Sequence, residues 1–403
     1  MPANWRRIAL WGLLALAMAG VVRVFAWSQE RAYGDEIARL APPAAATTAN
    51  TARPADSPAE RLLTEQGIVK HPVIAAGGKV VRMRIRAGGP RRRYRVVDLG
   101  QFDWDPYSNE LNLNNTGKVT ICSDDRTAYL WKKGRRMTLP TTGKPQYTVY
   151  GEGPVSERVR AVNDHDMAVG GVWDEGSGAL SYWTGVPVVW KHGILAKALP
   201  VLPGLTNASG VDINDQGVAL CQDEPDNNME GDPDEGRAYL VKNGTVENLG
   251  EVEGSALNNR GEVVGQDTIW DHALLLTHGH WIDLGRAFKE DSQAEGVNDH
   301  ADAAGTVGDE AYLWREGAGR RYDAYDLGPG AAFGINNRGE IVGRNNQDHA
   351  VLWRGNRVID LNRCVRAKGW VLQLATHINQ RGWIVGFGLR YGDGHGFLLI
   401  PVG

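Results

Sequence analysis

Aromatic rings stand beside carboxylates in three stretches of the first half of the chain: Asp103, Trp104, Asp105 and Tyr107, then Tyr150 and Glu152, then Trp173, Asp174, Tyr182 and Trp183. Aromatic faces hold sugar rings, peptide side chains or cations, and neighbouring carboxylates accept the hydrogen bonds that orient such ligands. The same rings can instead pack loops onto a scaffold, so residue type alone leaves both readings open. Asp105, Glu152 and Asp174 would serve a glycan hydrolase or lyase if folding set a pair several ångströms apart. No nucleophile motif accompanies them.

A second cluster is the run DEPDNNMEGDPDE at residues 223–235, with seven acidic side chains. Calcium takes about six to eight oxygens, and Asp223, Asp226, Asp232 and Asp234 are the candidate donors. The spacing is not that of an EF-hand, and a solvated acidic loop is the competing reading. Cys122, Cys221 and Cys364 are too few and too scattered for a disulfide framework or a zinc cluster. His272, His349 and His395 occupy one equivalent place in three copies of a repeat. Neighbouring sheets pack about 10 Å apart, too far for one zinc ion, so a structural role is expected. His377 alone among the histidines is placed to face a central site.

Those residues need a frame, and composition bounds it. The 403 residues include 51 Gly, 14 Trp and 12 Tyr, a balance that suits many short strands joined by tight turns. With 44 basic against 48 acidic side chains, the net charge of -4 offers nothing to a nucleic acid. Alignment of the chain with itself brings Asn114, Asn163, Asn214, Asn258, Asn298, Asn336 and Asn379 into register, at intervals of 49, 51, 44, 40, 38 and 43 residues. Such spacing matches the roughly 40 to 50 residues of a four-stranded propeller blade.

Each copy carries four strand-like pieces, a to d, as in AFGIN, EIVG, HAVLW and VIDL of residues 332–361. The third is nearly all apolar, as expected of a strand covered on both faces. Between a and b lies Asn, then Asn or Asp, any residue, and usually Gly, the chemistry of a type I turn closed by a left-handed residue. The seventh copy ends without its d piece, while YRVVDL at residues 94–99 precedes the first a piece. That segment is expected to complete the last blade and close the ring without free sheet edges. The expected fold is therefore an all-β, seven-bladed β-propeller of four-stranded blades over residues 94–403.

The blocks INNRGEIVG, DHAVLW, DHALLL and DLG resemble the HAF repeats of bacterial extracellular-repeat proteins. The resemblance covers residues 94–403 as a degenerate motif and implies an exported, propeller-like protein without an established catalytic activity. Asp166 in place of a turn glycine and Cys221 in place of a strand glycine depart from it.

Trp5, Arg6 and Arg7 precede an apolar run at residues 8–22, so residues 1–27 read as a signal peptide or an uncleaved membrane anchor that delivers the rest to the periplasm or cell exterior. Residues 28–93 read as a tether rich in Ala, Pro and Thr, with a basic segment from Arg82 to Arg93.

Strand order puts the a-b and c-d turns on one rim and the b-c and d-a connections on the other. The second rim holds the variable lengths, at 101–109, 141–159, 173–186, 222–236, 362–374 and 387–395. Loops that vary on a rigid frame are where binding concentrates. The expectation is a monomeric, non-catalytic binding module of the cell envelope that takes a glycan or peptide on the rim of the first three blades. A glycan hydrolase or lyase and a purely structural scaffold are the alternatives.

Overall fold

The computed structural model describes residues 73–89, 93–101, 111–122, 127–139, 155–175, 183–203, 205, 207–223 and 236–402. Contacts divide the chain into Met1–Pro58 and Ala59–Gly403, and every described residue belongs to the second unit. The expected signal or anchor at residues 1–27 lies outside the described residues. Among the described residues no helix is long and apolar enough to cross a membrane.

The described chain is all-β, with one 3-10 turn at Leu361–Cys364. Antiparallel hairpins recur as the a-to-d pattern requires. Ser292–Val297 pairs with Ala303–Val307, which pairs with Glu310–Glu316, which pairs with the first half of Tyr322–Ile335. The second half of Tyr322–Ile335 then opens the next group by pairing with Glu340–Asn345. One long strand thus serves as d of one group and a of the next, and Thr245–Leu257 repeats the device.

Alternation along each strand distributes its side chains between the two neighbouring sheets. Val263 and Leu274 join one apolar cluster, while the adjacent Val264 and Leu275 join the next. Ile341 and Val342 divide in the same way. The core is accordingly a succession of clusters between sheets, which is why the b and c strands are apolar on both faces.

The leucine of each DL ending, and of the equivalent Asn248-Leu249, is a fixed wedge in this core: Leu99, Leu249, Leu284, Leu327 and Leu361 are all nearly inaccessible. The residue before it makes the exit turn. Asp98, Asn248 and Asp326 each accept the N–H two residues on, from Gly100, Gly250 and Gly328. The three aligned histidines complete the pattern: Nδ1 of His272, His349 and His395 lies 3.2, 3.2 and 2.9 Å from the carboxylates of Asp283, Asp360 and Asp98. Each pair ties the start of a c strand to the end of its d strand.

Arg93–Gln101 pairs antiparallel with Asp393–Val402, with Leu398 opposite Val97 and Leu399 opposite Val96. The beginning of this unit therefore completes the sheet at its end. Leu99 and Leu398 share a cluster with Leu111, Val119 and Ile121, so the last group packs on the first.

Two expectations need correction. Pairing begins at Val73, well inside the segment expected to be a tether. Val73–Ala75, Gly77–Arg82 and Arg86–Ala87 add as parallel outer strands to His280–Asp283, Tyr322–Ile335 and Arg357–Asp360. Met83 and Ile85 supply apolar contacts that the arginine-rich composition hides, packing on a buried cluster. The connections at 173–186 and 387–395 are also shorter than expected, because Met167–Glu175 and Trp183–Lys191 run on as one hairpin, and Ile384–Arg390 turns tightly into Asp393–Val402.

Candidate functional site

Six a strands among the described residues carry the same irregularity. Opposite each b partner the register skips one residue: Arg160, Val211, Ser255, Glu295, Phe333 and Thr376 are each left unpaired. Each stands three residues before the asparagine of its copy, where the first copy has Leu111. A bulge of this kind bends the strand and turns one side chain out of the alternation. All seven of these residues line one cavity of ≈ 660 Å³ on the axis around which the sheets are arranged.

The residue before the bulge is small in these copies, with Val159, Gly210, Gly254, Ala294, Ala332 and Ala375 in that place. Gly210 shows why: a Cβ there would lie 2.2 Å from Val169 of the preceding sheet. Close approach of the a strands thus crowds side chains out of the sheet contacts and directs the bulged residue into the cavity.

The lining is polar and of both signs. Asp212, Glu253, Glu295 and Asp348 oppose Arg160 and Arg344, and Arg344 is engaged by Asp348 at 3.1 Å. His377 lines the cavity, as the sequence placed it. Gln222 and Gln373 add amide groups whose side-chain oxygens are buried without a hydrogen-bond partner. Asp212 accepts the backbone N–H groups of Ile213 and Leu257 at 2.8 Å each, so that carboxylate is held between two a strands. Phe333 is the sole benzene or indole ring among the lining residues.

A double collar of hydrogen bonds borders the a-b end of this cavity. The Nδ2 group of each asparagine donates to the backbone carbonyl of the next one, in the order Asn114, Asn163, Asn214, Asn258, Asn298, Asn336, Asn379 and back to Asn114, at 2.7 to 3.2 Å. The residue after each asparagine makes a second circuit. Asn115 N–H donates to Asp164, Asp164 N–H to Asp215, Asp215 N–H to Asn259, and so on through Asp299, Asn337 and Gln380 to Asn115. The asparagine oxygen meanwhile accepts the turn's own N–H groups, as Asn336 does from Arg338 and Glu340. Gly339 at φ 67 closes that turn, and Asp166 and Ala301 adopt the same left-handed conformation where their copies lack glycine.

Most of the aromatic and acidic site expected from sequence lies outside the described residues: Asp103, Trp104, Asp105, Tyr107, Tyr150, Glu152, Tyr182, Asp226, Asp232 and Asp234. Asp223 ends the strand Ala219–Asp223 and pairs with Ala208. Trp173, Asp174 and Trp183 are strand residues, opposite Gly185, Thr184 and Glu175, and not the loop residues expected. Their hairpin pairs without a register shift from Met167 opposite Lys191 to Glu175 opposite Trp183. Among the described residues no group of three or more His, Cys, Asp or Glu side chains is arranged to hold a metal ion.

No family model matches the chain, and no curated protein matches it. Several solved structures are similar in fold. A chain of the mitotic checkpoint complex shares 13% identity over 90% of this chain and 99% of its own, with a TM-score of 0.48. YCF48 bound to D1 peptide shares 11% identity over 80% of this chain and 98% of its own, at 0.47. YCF48 from Cyanidioschyzon merolae shares 10% identity over 76% of this chain and 98% of its own, at 0.46. Similarity at this level carries no activity with it.

Proposed function

We propose that this chain is a seven-bladed β-propeller that acts as a binding module, receiving a peptide segment in its axial channel. The seven-blade reading is supported by the asparagine circuit, which returns to its first member after Asn379. The functional reading rests on one observation: the bulge that recurs in six a strands, each time behind a small residue, sends unlike side chains into a single cavity. Folding needs the bulge, but it does not need Leu, Arg, Val, Ser, Glu, Phe and Thr at one equivalent place.

A cavity of ≈ 660 Å³ falls within the roughly 300–1,000 Å³ of ligand sites. Carboxylates, guanidinium groups and amides around its wall match the alternating amides and charged side chains of a peptide. A glycan would call for aromatic platforms, and among the described residues the lining offers Phe333 alone. Export of the chain, with residues 8–22 as the leader or anchor, is part of this proposal.

The test is capture on peptide and glycan arrays by the wild-type protein and by Glu295→Gln and Arg160→Gln variants. Peptide capture that weakens in both variants supports the reading. Undiminished capture in both, or capture of glycans alone, would remove it.

A further inference from the structure

The strongest unassigned feature of the surface is the turn between Val263–Asp267 and Ala273–Thr277, at the rim opposite the asparagine collar. It carries Ile269 and Trp270, which are 65% and 72% exposed, the two most exposed large apolar neighbours among the described residues. Their exposure does not come from a loose backbone. The Asp267 carboxylate accepts the N–H groups of Ile269 at 3.0 Å, of Trp270 and of His272 at 3.3 Å. Asp267 N–H donates to His272 O at 2.9 Å, and Ser292 N–H donates to Asp271 O at 2.8 Å. Asp271 completes the turn in the left-handed region, at φ 52. The indole is thus held out in water by a turn whose own bonds are satisfied, and it contributes little to the core.

Its surroundings are acidic. Asp271 in the turn, Glu253 on the paired strand, and Glu290 and Asp291 in the following connection are exposed and outnumber the exposed cations of that connection, Arg286 and Lys289. The turn also meets the channel. Glu253, a lining residue, is paired with Gln266, and a Cβ on Gly236 would lie 2.4 Å from Thr268 and 3.7 Å from Glu253. An exposed indole amid carboxylates is the chemistry that recognises a Lys or Arg side chain, by its ring face and by charge.

We infer that Trp270, with Ile269, is the anchor at the channel mouth for a basic, Lys- or Arg-bearing segment of a protein partner, which passes Glu253 into the channel. The inference deepens the channel reading and rests on it for the far end of the segment.

The test is fluorescence anisotropy with fluorescein-labelled hexalysine and hexaglutamate, on the full chain and on Trp270→Ala, Trp270→Phe and Glu295→Gln variants. Wild type is expected to bind hexalysine and not hexaglutamate. Trp270→Ala should weaken binding about tenfold, the scale of a partly desolvated cation–aromatic contact, and Trp270→Phe should weaken it less. Absence of hexalysine binding to wild type, preference for hexaglutamate, or equal binding by Trp270→Ala overturns the inference. Glu295→Gln separates the two readings. Weakening in Glu295→Gln but not in Trp270→Ala sinks the anchor and keeps the channel; weakening in Trp270→Ala alone keeps the anchor and sinks the channel.

Discussion

The side-chain amide of Asn379 donates a 3.0 Å hydrogen bond to the backbone carbonyl of Asn114, 265 residues earlier in the chain. It is the bond that turns a row of equivalent contacts into a circuit. A buried donor of this kind has no water to replace a lost partner, so every member of the circuit is expensive to change.

Asn336 allows its two roles to be separated. Its Oδ1 serves its own turn, while its Nδ2 donates to Asn379 O and to Glu340. Asn336→Asp keeps the acceptor and removes the donor, placing a carboxylate against a carbonyl and another carboxylate. If turn chemistry were the whole role, the substitution would be mild. We expect a loss of about 2–4 kcal/mol, from an orphaned buried acceptor plus repulsion, read from urea unfolding midpoints.

Closure of the ring predicts a contrast between two strands near the start of the described chain. Leu99 is 2% exposed in the cluster shared by the first and last groups, and Leu99→Ala should cost about 2–5 kcal/mol. Val80, on an outer parallel strand, is 50% exposed, and Val80→Ala should stay within about 0.5 kcal/mol. Equal effects in thermal unfolding would contradict the assignment of residues 93–101 as the closing strand.

Acid should loosen the last repeats through Glu340. Burial pushes its carboxyl up, but hydrogen bonds from Asn336 and Arg338 and the charges of Arg354 and Arg338 outweigh burial and hold it below its ordinary value of 4.5. A carboxyl lowered on folding contributes its full stability above that ordinary value, and the contribution is lost as pH falls through the lower folded value. The unfolding midpoint of Glu340→Gln should therefore lie below that of wild type at pH 7, and the gap should narrow steadily below pH 4.5. A gap that stays constant from pH 7 to pH 3 would rule the mechanism out.

The cysteines should report unfolding and little else. Cys122, Cys221 and Cys364 are 6%, 0% and 4% exposed. Burial pushes the Cys221 thiol up, against a hydrogen bond from Tyr239, and burial together with the Asp360 charge pushes Cys364 up. Native protein at pH 8 should resist a thiol-specific chromogenic reagent that labels all three sites in urea. Rapid native labelling at Cys221 would show that its sheet opens locally.

Much of the frame is legible in the chain because its determinants are local. The turn at Asn336 to Gly339 draws on bonds within five residues, and the Asp326 exit turn on bonds within three. The channel was hidden for a physical reason. The pairing of Ser292–Val297 shifts between Ala294 and Gly296, and only the meeting of the a strands around one cavity makes Glu295 a lining residue. A signal was present: the position three residues before each asparagine varies freely, and in six of the seven copies it follows a small residue.

The amino-acid sequence by itself determined the repeat, its turns, the doubly apolar middle strands and the missing last strand supplied from residues 94–99, because each depends on neighbours in the chain. Only the tertiary structure decided which partner each asparagine meets, that residues 73–87 strap the outer edges, and that the bulged residues converge on one axis. Those relations join residues up to 265 positions apart, and they exist only when the sheets close around a common centre.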